Sequence, residues 1–129
     1  MIIAACVDEA MGLQFAGRRQ SRDRVLIQEL EAMAGGRLRV CPSAEKLFGS
    51  GYCTGGDWLS GAGAGDWCFC EDCAYLPYAD RIEKIVLFQW NRSYPADLYF
   101  QFPGAWTLVS RRDLVGSSHE KITVEVYEK

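Results

Sequence analysis

The residues best suited to chemistry form a short run near the middle of the chain, Cys68-Phe69-Cys70-Glu71-Asp72-Cys73. Clustered thiols could hold a metal ion or exchange electrons, because thiolates are zinc ligands and redox nucleophiles. Cys68 and Cys70 share one face if this segment is a strand, which is poor geometry for tetrahedral coordination. We therefore expect buried, reduced thiols and no metal site, with a metal or redox role for Cys68, Cys70 and Cys73 as the less favoured alternative.

A second group with chemical potential is a basic segment near the N-terminus, which contains Arg18, Arg19, Arg22 and Arg24. Guanidinium groups near a helix N-terminus could bind an anion, either a phosphate or carboxylate compound or an RNA backbone. The alternative, which we favour, is a solvated surface that Asp23 and acids elsewhere partly neutralise.

Two further groups could be taken for catalytic residues. Ser43 precedes a predicted helix but has no base near it in the sequence, so a nucleophilic role is not supported. The segment Ser117–Glu120 contains His119, the single histidine of the chain. We expect this segment to form the turn of the last hairpin with His119 exposed. One histidine is also too few for a histidine-rich metallohydrolase or metal-dependent nuclease.

The bulk properties predict an ordinary globular protein. The chain has 129 residues, and we interpret residues 1–129 as one domain with a single hydrophobic core. A net charge of −3 gives no reason to expect general binding to nucleic acid or to a membrane. The N-terminus lacks the basic region of a signal peptide, so we expect a cytoplasmic location, where six cysteines are weak grounds for disulfides. The sequence does not indicate an oligomeric state.

Hydrophobic patterning predicts the elements of the first third of the chain. Ile2–Val7 is a continuous apolar run typical of a buried strand. A loop with two glycines follows at 11–17. We expect the next helix to begin with Ser21 as N-cap and Asp23 in its first turn, and to close at Ala34-Gly35-Gly36.

The later elements follow from the same patterns. The predicted segments are a strand at 37–41, a short helix at 44–48, a glycine-rich loop at 49–65, a strand at 67–70, a mostly helical segment after it, and strands at 82–90, 97–100, 106–110 and 121–127. This order predicts an α/β fold with a mostly parallel central sheet, flanking helices and a C-terminal antiparallel hairpin.

Segments in this order resemble the dihydrofolate reductase family over most of the chain. The family's first strand and active-site loop resemble Val7–Gly17, and its second strand and helix resemble Val40–Phe48. Further similar segments are Y-L-P-Y-A-D-R from Tyr75, I-V-L-F-Q-W from Ile85, A-D-L-Y-F from Ala96, and W-T-L-V and V-E-V-Y-E-K near the end. Asp23 lies close to where the family keeps its acidic substrate-binding residue. The resemblance implies the α/β fold already predicted.

The resemblance also implies a site for NADPH, over a glycine pair that lets backbone N–H groups approach the cofactor. Here Cys70, Glu71 and Asp72 stand at those positions, and the two carboxylates would repel a pyrophosphate. Pro42 and Ala44 replace the family's phosphate-binding arginine and threonine.

The tryptophan of the family's active-site loop is also replaced, around Arg19 and Gln20. We therefore expect no cofactor, and in particular no NADPH.

Two functions remain open. The first is a small-ligand-binding or regulatory module that has lost NADPH-dependent folate reduction, with an unidentified small molecule, an anion being one class, as its partner. The alternative is a reductase that acts on a pterin-like or nucleotide-like molecule through an altered cofactor site. The candidate cleft residues are Arg18, Arg19, Gln20, Asp23, Ser43, Cys70, Glu71 and Asp72.

Overall fold

The computed structural model describes residues 1–48, 55 and 57–129. Its strands are β1 (Ile2–Val7), β2 (Gly12–Phe15), β3 (Arg18–Arg19), β4 (Leu38–Val40), β5 (Trp67–Phe69), β6 (Lys84–Gln89), β7 (Leu98–Tyr99), β8 (Thr107–Leu114) and β9 (Ile122–Glu128). Helix α1 spans Arg24–Ala34, and 3₁₀ turns span Pro42–Ala44 and Leu76–Arg81. Cys53 and part of the predicted loop at 49–65 lie outside the described residues.

A six-stranded sheet in the order β4-β5-β1-β6-β9-β8 forms the centre of the fold. The first four strands are parallel, and β9 and β8 continue the sheet in antiparallel fashion. The mostly parallel sheet and the C-terminal hairpin are therefore confirmed. Ile3, Ile85 and Leu87 in the central strands have no exposed surface, as expected where both faces of a sheet are covered.

Helix α1 buries Leu26, Leu30 and Ala34, which recur at helical spacing on one face. The predicted N-cap was wrong: Asp23 is the cap, with extended backbone and a side chain that accepts the amides of the first turn. The predicted closure is confirmed, because Gly35 adopts the left-handed conformation at φ 61° and ends the helix.

The helices predicted at 44–48 and after Cys70 were wrong, since 3₁₀ turns occupy both places. Proline lies in the first turn of each, a position that helices tolerate, so proline does not account for their shortness. The carboxylate of Asp72 accepts the amide of Ala74 at 2.9 Å, which closes a local turn in place of a helical one.

The loop predicted at 11–17 is instead a hairpin. Strands β2 and β3 are joined by Ala16 and Gly17, with φ of 52° and 75°, a pair of positive φ angles typical of a tight two-residue hairpin turn. With β7 they form a second sheet in the order β3-β2-β7. This small sheet brings the arginines of β3 over the edge of the main sheet.

Strand β8 forms one edge of the main sheet and pairs with β9 from Thr107↔Glu128 to Leu114↔Ile122. It is longer than predicted, and its register shifts between Leu108 and Ser110. Among the described residues, none of the helices is long and apolar enough to cross a bilayer.

Candidate functional site

The carboxyl ends of the four parallel strands meet at one edge of the main sheet. Asp8, Cys41, Cys70 and Trp90 directly follow β1, β4, β5 and β6 there. In open α/β sheets ligands bind at this edge, at the point in the sheet where the order of the strands reverses. The cleft at this edge is also lined by residues of α1 and of the β2–β3 hairpin.

On one side of the cleft, Glu71 is held in a closed polar network. Arg19 donates from Nε to Oε2 at 2.6 Å and from Nη2 to Oε1 at 3.1 Å. Ser43 donates its hydroxyl to Oε1 at 2.8 Å, and its carbonyl accepts Arg19 Nη2 at 2.7 Å. Only 8% of Glu71 is exposed. Three predicted cleft residues thus bind one another.

The hydrogen bonds that the Arg19 guanidinium donates to Glu71 raise its pKa further above the ordinary value. The side chain of Gln14 fixes the backbone here as well, by donating to the carbonyl of Glu71 at 2.7 Å. The space at the end of β5 is therefore taken by the charge-assisted hydrogen bonds between Arg19 and Glu71.

The other predicted residues on this side lie apart from the network. Arg18 and Asp72 are exposed, and Asp72 binds the amide of its own turn. Gln20 is half-buried and donates to Asp8 Oδ2 at 3.2 Å. Its Oε1 is buried and has no hydrogen-bond partner among the described residues.

On the opposite side of the cleft, the carboxylate of Asp23 accepts bonds from two segments distant in sequence. The amides of Val25 and Leu26 donate at 2.9 and 3.3 Å, which caps α1. The amides of Ser117 and Ser118 donate at 3.0 and 2.8 Å from the turn between β8 and β9, and both hydroxyls add bonds of 3.2 and 3.1 Å. Asp23 thus joins the helix to the C-terminal hairpin.

His119 belongs to the same cluster, and the expectation that it is exposed was wrong. Its ring is 4% exposed, stacks on Trp90 at 4.5 Å, and places Nδ1 3.1 Å from Asp23 Oδ2. Its Nε2 lies 3.2 Å from Ser21 Oγ and 3.0 Å from the hydroxyl of Tyr94. The polar segment around His119 resembles a solvated turn, so local pattern alone does not reveal its burial.

The ionisation of Asp23 follows from these bonds. Burial alone would raise its pKa, but the amides of Ser117 and Ser118 and the bond to His119 hold the pKa well below the ordinary value. Gly116 permits this close approach: an added Cβ would lie 2.9 Å from the carbonyl oxygen of His119 and would also touch the Asp23 carboxylate.

Cys6, Cys41 and Cys70 lie at the carboxyl ends of the neighbouring strands β1, β4 and β5. Burial raises the pKa of the Cys6, Cys41 and Cys70 thiols, and it raises that of Cys68 to about 11. Protonated thiols are poor nucleophiles and poor ligands. Within the described residues, no group of three or more histidine, cysteine or acidic side chains is arranged to hold a metal ion.

The cleft between these two clusters is nearly closed. Apolar side chains such as Leu26, Phe69 and Trp90 line it, and the cavity that they leave is about 20 Å³. A single water molecule needs at least about 10–15 Å³ on the same measure. The cavity therefore has room for little more than one water or one methyl group.

An open groove of about 530 Å³ lies between α1 and the turn that joins β8 to β9. Arg22, Arg24 and Lys46 line it, and none of them forms an ion pair within residues 1–48, 55 and 57–129. Asp23 and Glu31 contribute carboxylates to the same wall. Three cations against two acids leave the lining of the groove with a net positive charge.

The fold and the position of the cleft define a class of protein: this is a dihydrofolate reductase-like α/β fold, as the sequence segments predicted. A dihydrofolate reductase from Enterococcus faecalis, in complex with NADP(H) and RAB-propyl, matches this chain with a TM-score of 0.63. The match covers 98% of this chain and 94% of that chain, at 9% sequence identity, so the likeness concerns the fold alone. No protein-family model matches the chain, and no curated protein sequence does.

Proposed function

We propose that this protein is a small-ligand-binding or regulatory module that has lost NADPH-dependent folate reduction. The observation that carries the proposal is the Glu71 network. A carboxylate bound by Arg19 and Ser43 stands where the resemblance puts a glycine pair beside the cofactor. A cofactor phosphate placed there would meet a negative side chain instead of free backbone donors.

The opposite side of the cleft supports the same proposal. A pterin-binding acid must offer free carboxylate oxygens, but those of Asp23 already accept bonds from the helix and the hairpin turn. A ring system also needs far more space than a cavity of about 20 Å³.

The ligand we propose is an anionic small molecule in the open groove. The cations of Arg22, Arg24 and Lys46 face a volume of about 530 Å³ that is large enough for a small organic anion. Guanidinium groups bind phosphate and carboxylate through paired hydrogen bonds. The two acids in the wall, Asp23 and Glu31, would repel highly charged anions, so we expect a ligand of low negative charge.

The first experiment measures the thermal unfolding of the purified chain with 1 mM NADPH. Saturating cofactor would stabilise a binding-competent protein by about 2.7 kcal/mol at 100 times its dissociation constant. We expect no shift in the melting temperature. A clear shift would contradict the proposal and favour the alternative, a reductase for a pterin-like or nucleotide-like substrate.

The second experiment tests the groove with inorganic phosphate, pyrophosphate and citrate at low ionic strength, by calorimetric titration. We expect at least one of these anions to bind, and the doubly substituted Arg22→Gln, Lys46→Gln chain to bind about tenfold more weakly. Lys121→Gln, an exposed lysine outside the groove, is the matched control. Equal affinities for the two variants would refute the groove as the site.

A further inference from the structure

Three side chains of the Asp23 cluster stand in the relation of an acid, a base and a nucleophile. Nδ1 of His119 lies 3.1 Å from Asp23 Oδ2, and Nε2 on the far side of the ring lies 3.2 Å from Ser21 Oγ. A hydroxyl bound to a histidine that a buried carboxylate orients is the arrangement that activates serine nucleophiles. Ser21 and Asp23 lie in the loop before α1, and His119 lies in the turn between β8 and β9.

The hydrogen-bond geometry of the cluster suits this role. His119 Nδ1 lies 3.1 Å from both Asp23 Oδ2 and Ser118 Oγ, and the carboxylate oxygen can only accept, so a proton on Nδ1 satisfies it. In that tautomer Nε2 is the acceptor, and it lies 3.2 Å from Ser21 Oγ and 3.0 Å from the hydroxyl of Tyr94. The stacking of His119 on Trp90 holds the ring in this orientation.

Of the three residues Ser21, Asp23 and His119, Ser21 is the accessible one. Asp23 and His119 are 2% and 4% exposed, whereas Ser21 is half-buried and lines the small cavity of the cleft. A cavity of about 20 Å³ beside the hydroxyl accommodates a methyl group and excludes a longer chain. This size determines which acyl group can approach Ser21 Oγ.

We propose that Ser21 is a nucleophile for small acetyl esters, with His119 as its general base and Asp23 as the positioning residue. Ser21 Oγ attacks the ester carbonyl, and its proton passes to His119 Nε2. The carbon–oxygen bond to the alcohol breaks, and the alcohol leaves with that proton. Water then attacks the acetyl carbon while His119 Nε2 takes its proton, the bond from that carbon to Ser21 Oγ breaks, and Nε2 returns the proton to Oγ, which releases acetic acid and restores the serine. This activity is independent of cofactor and anion binding.

The experiment follows the release of 4-nitrophenolate from 4-nitrophenyl acetate by the natural chain, the Ser21→Ala chain and the control Ser110→Ala. Ser110 is an exposed serine on β8 and does not line the cavity beside Ser21. We expect kcat/KM to fall about 100-fold in Ser21→Ala, the scale of general-base and nucleophilic assistance, and to stay unchanged in the control. Equal rates for the natural and Ser21→Ala chains would overturn the proposal.

Two further readouts do not depend on how well a variant folds. Peptide mass mapping of the natural chain after a brief reaction should place an acetyl group on Ser21; acetylation confined to lysines would overturn the proposal. The natural chain should also prefer 4-nitrophenyl acetate to the butyrate ester by at least about tenfold, because two more methylenes do not fit the cavity. Equal rates for the two esters would show that the cavity does not select the acyl group, and would overturn the proposed specificity for acetyl esters.

Discussion

Asp23 and Glu71 are both buried acids at the same edge of the sheet, yet they are neutralised in different ways. Asp23 is bound by backbone amides, hydroxyls and a histidine, with no arginine or lysine among the partners described. Glu71 is bound by the guanidinium of Arg19, whose side chain is 31% exposed. Fixed dipoles hold the first acid, while a cation close to solvent holds the second.

The two kinds of contact should differ in how much they stabilise the fold and in how easily they can be broken. Amides that belong to a helix and a hairpin cannot leave Asp23 without unfolding part of the chain. An ion pair near solvent contributes less to stability, and its long side chain can move away. We therefore expect the Asp23 side to hold the fold together and the Glu71 side to be the place where the cleft could open. Four predictions test this contrast, in decreasing order of effect.

Asp23→Asn should lower the free energy of unfolding by about 3 kcal/mol or more, since an amide nitrogen would face buried donors and the ionised acceptor would be lost. Urea unfolding measures the loss. Asp72→Asn is the matched control, because Asp72 is exposed and should change stability by less than about 1 kcal/mol. Similar losses in both variants would refute the contrast.

Gly116→Ala should lower the free energy of unfolding by about 2 kcal/mol without changing any charge, because the new methyl group would push the hairpin turn away from Asp23. At Gly63, the matched control, an added Cβ would be 3.8 Å from the nearest atom, Asp66 Oδ2. Gly63→Ala should therefore be close to neutral in the same urea assay. An unchanged free energy of unfolding in Gly116→Ala would show that the turn between β8 and β9 can move to accommodate the methyl group.

Acid should destabilise the protein through Asp23. Its pKa is lowered on folding, so its contribution is fully present above its unfolded pKa, about 3.9, and is lost as the pH falls toward the folded pKa. We expect stability to decrease from pH 4.5 to pH 2, and to decrease less in Asp23→Asn, as followed by urea midpoints. Parallel pH profiles for the two chains would assign acid sensitivity to other carboxylates, such as Asp66 and Glu83, whose pKa values are also lowered.

Glu71→Gln should cost about 1 kcal/mol, less than Asp23→Asn, because the amide oxygen can still accept from Arg19 and Ser43 and the lost ion pair is partly screened. The cost should shrink in 1 M NaCl, where the Debye length is about 3 Å. Urea unfolding at low and high salt gives both values. If the cost exceeds that of Asp23→Asn, the order of the two acids is reversed.

Part of this arrangement is predictable from the sequence. The run Ile2–Val7 gives the first strand to the residue, because continuous β-branched and apolar residues suit a strand buried on both faces. The order of elements gives the parallel sheet and the final hairpin. Glu71 and Arg19 could both be named as cleft residues from the resemblance alone.

The bonds between those residues could not be predicted. Ser21 and Asp23 both suit an N-cap, and local sequence does not reveal that Asp23 is also bound by the amide of Ser117, 94 residues away. His119 becomes buried through the same long-range packing, which local polarity conceals. Arg19 reaches Glu71 because 16–17 form a hairpin turn, a conformation that needs positive φ at the non-glycine Ala16.

The cap of helix α1 also has a consequence for how the chain folds. The same carboxylate accepts the amides of Ser117 and Ser118, which belong to the turn before β9, the last strand, and that strand pairs with β6. The cap from Val25 and Leu26 is local, but the bonds that join the helix to the turn form only after nearly the whole chain has collapsed, and closing so long a loop costs entropy before any bond forms. During synthesis α1 emerges before the donors that bury Asp23, so folding should be slow and completed late.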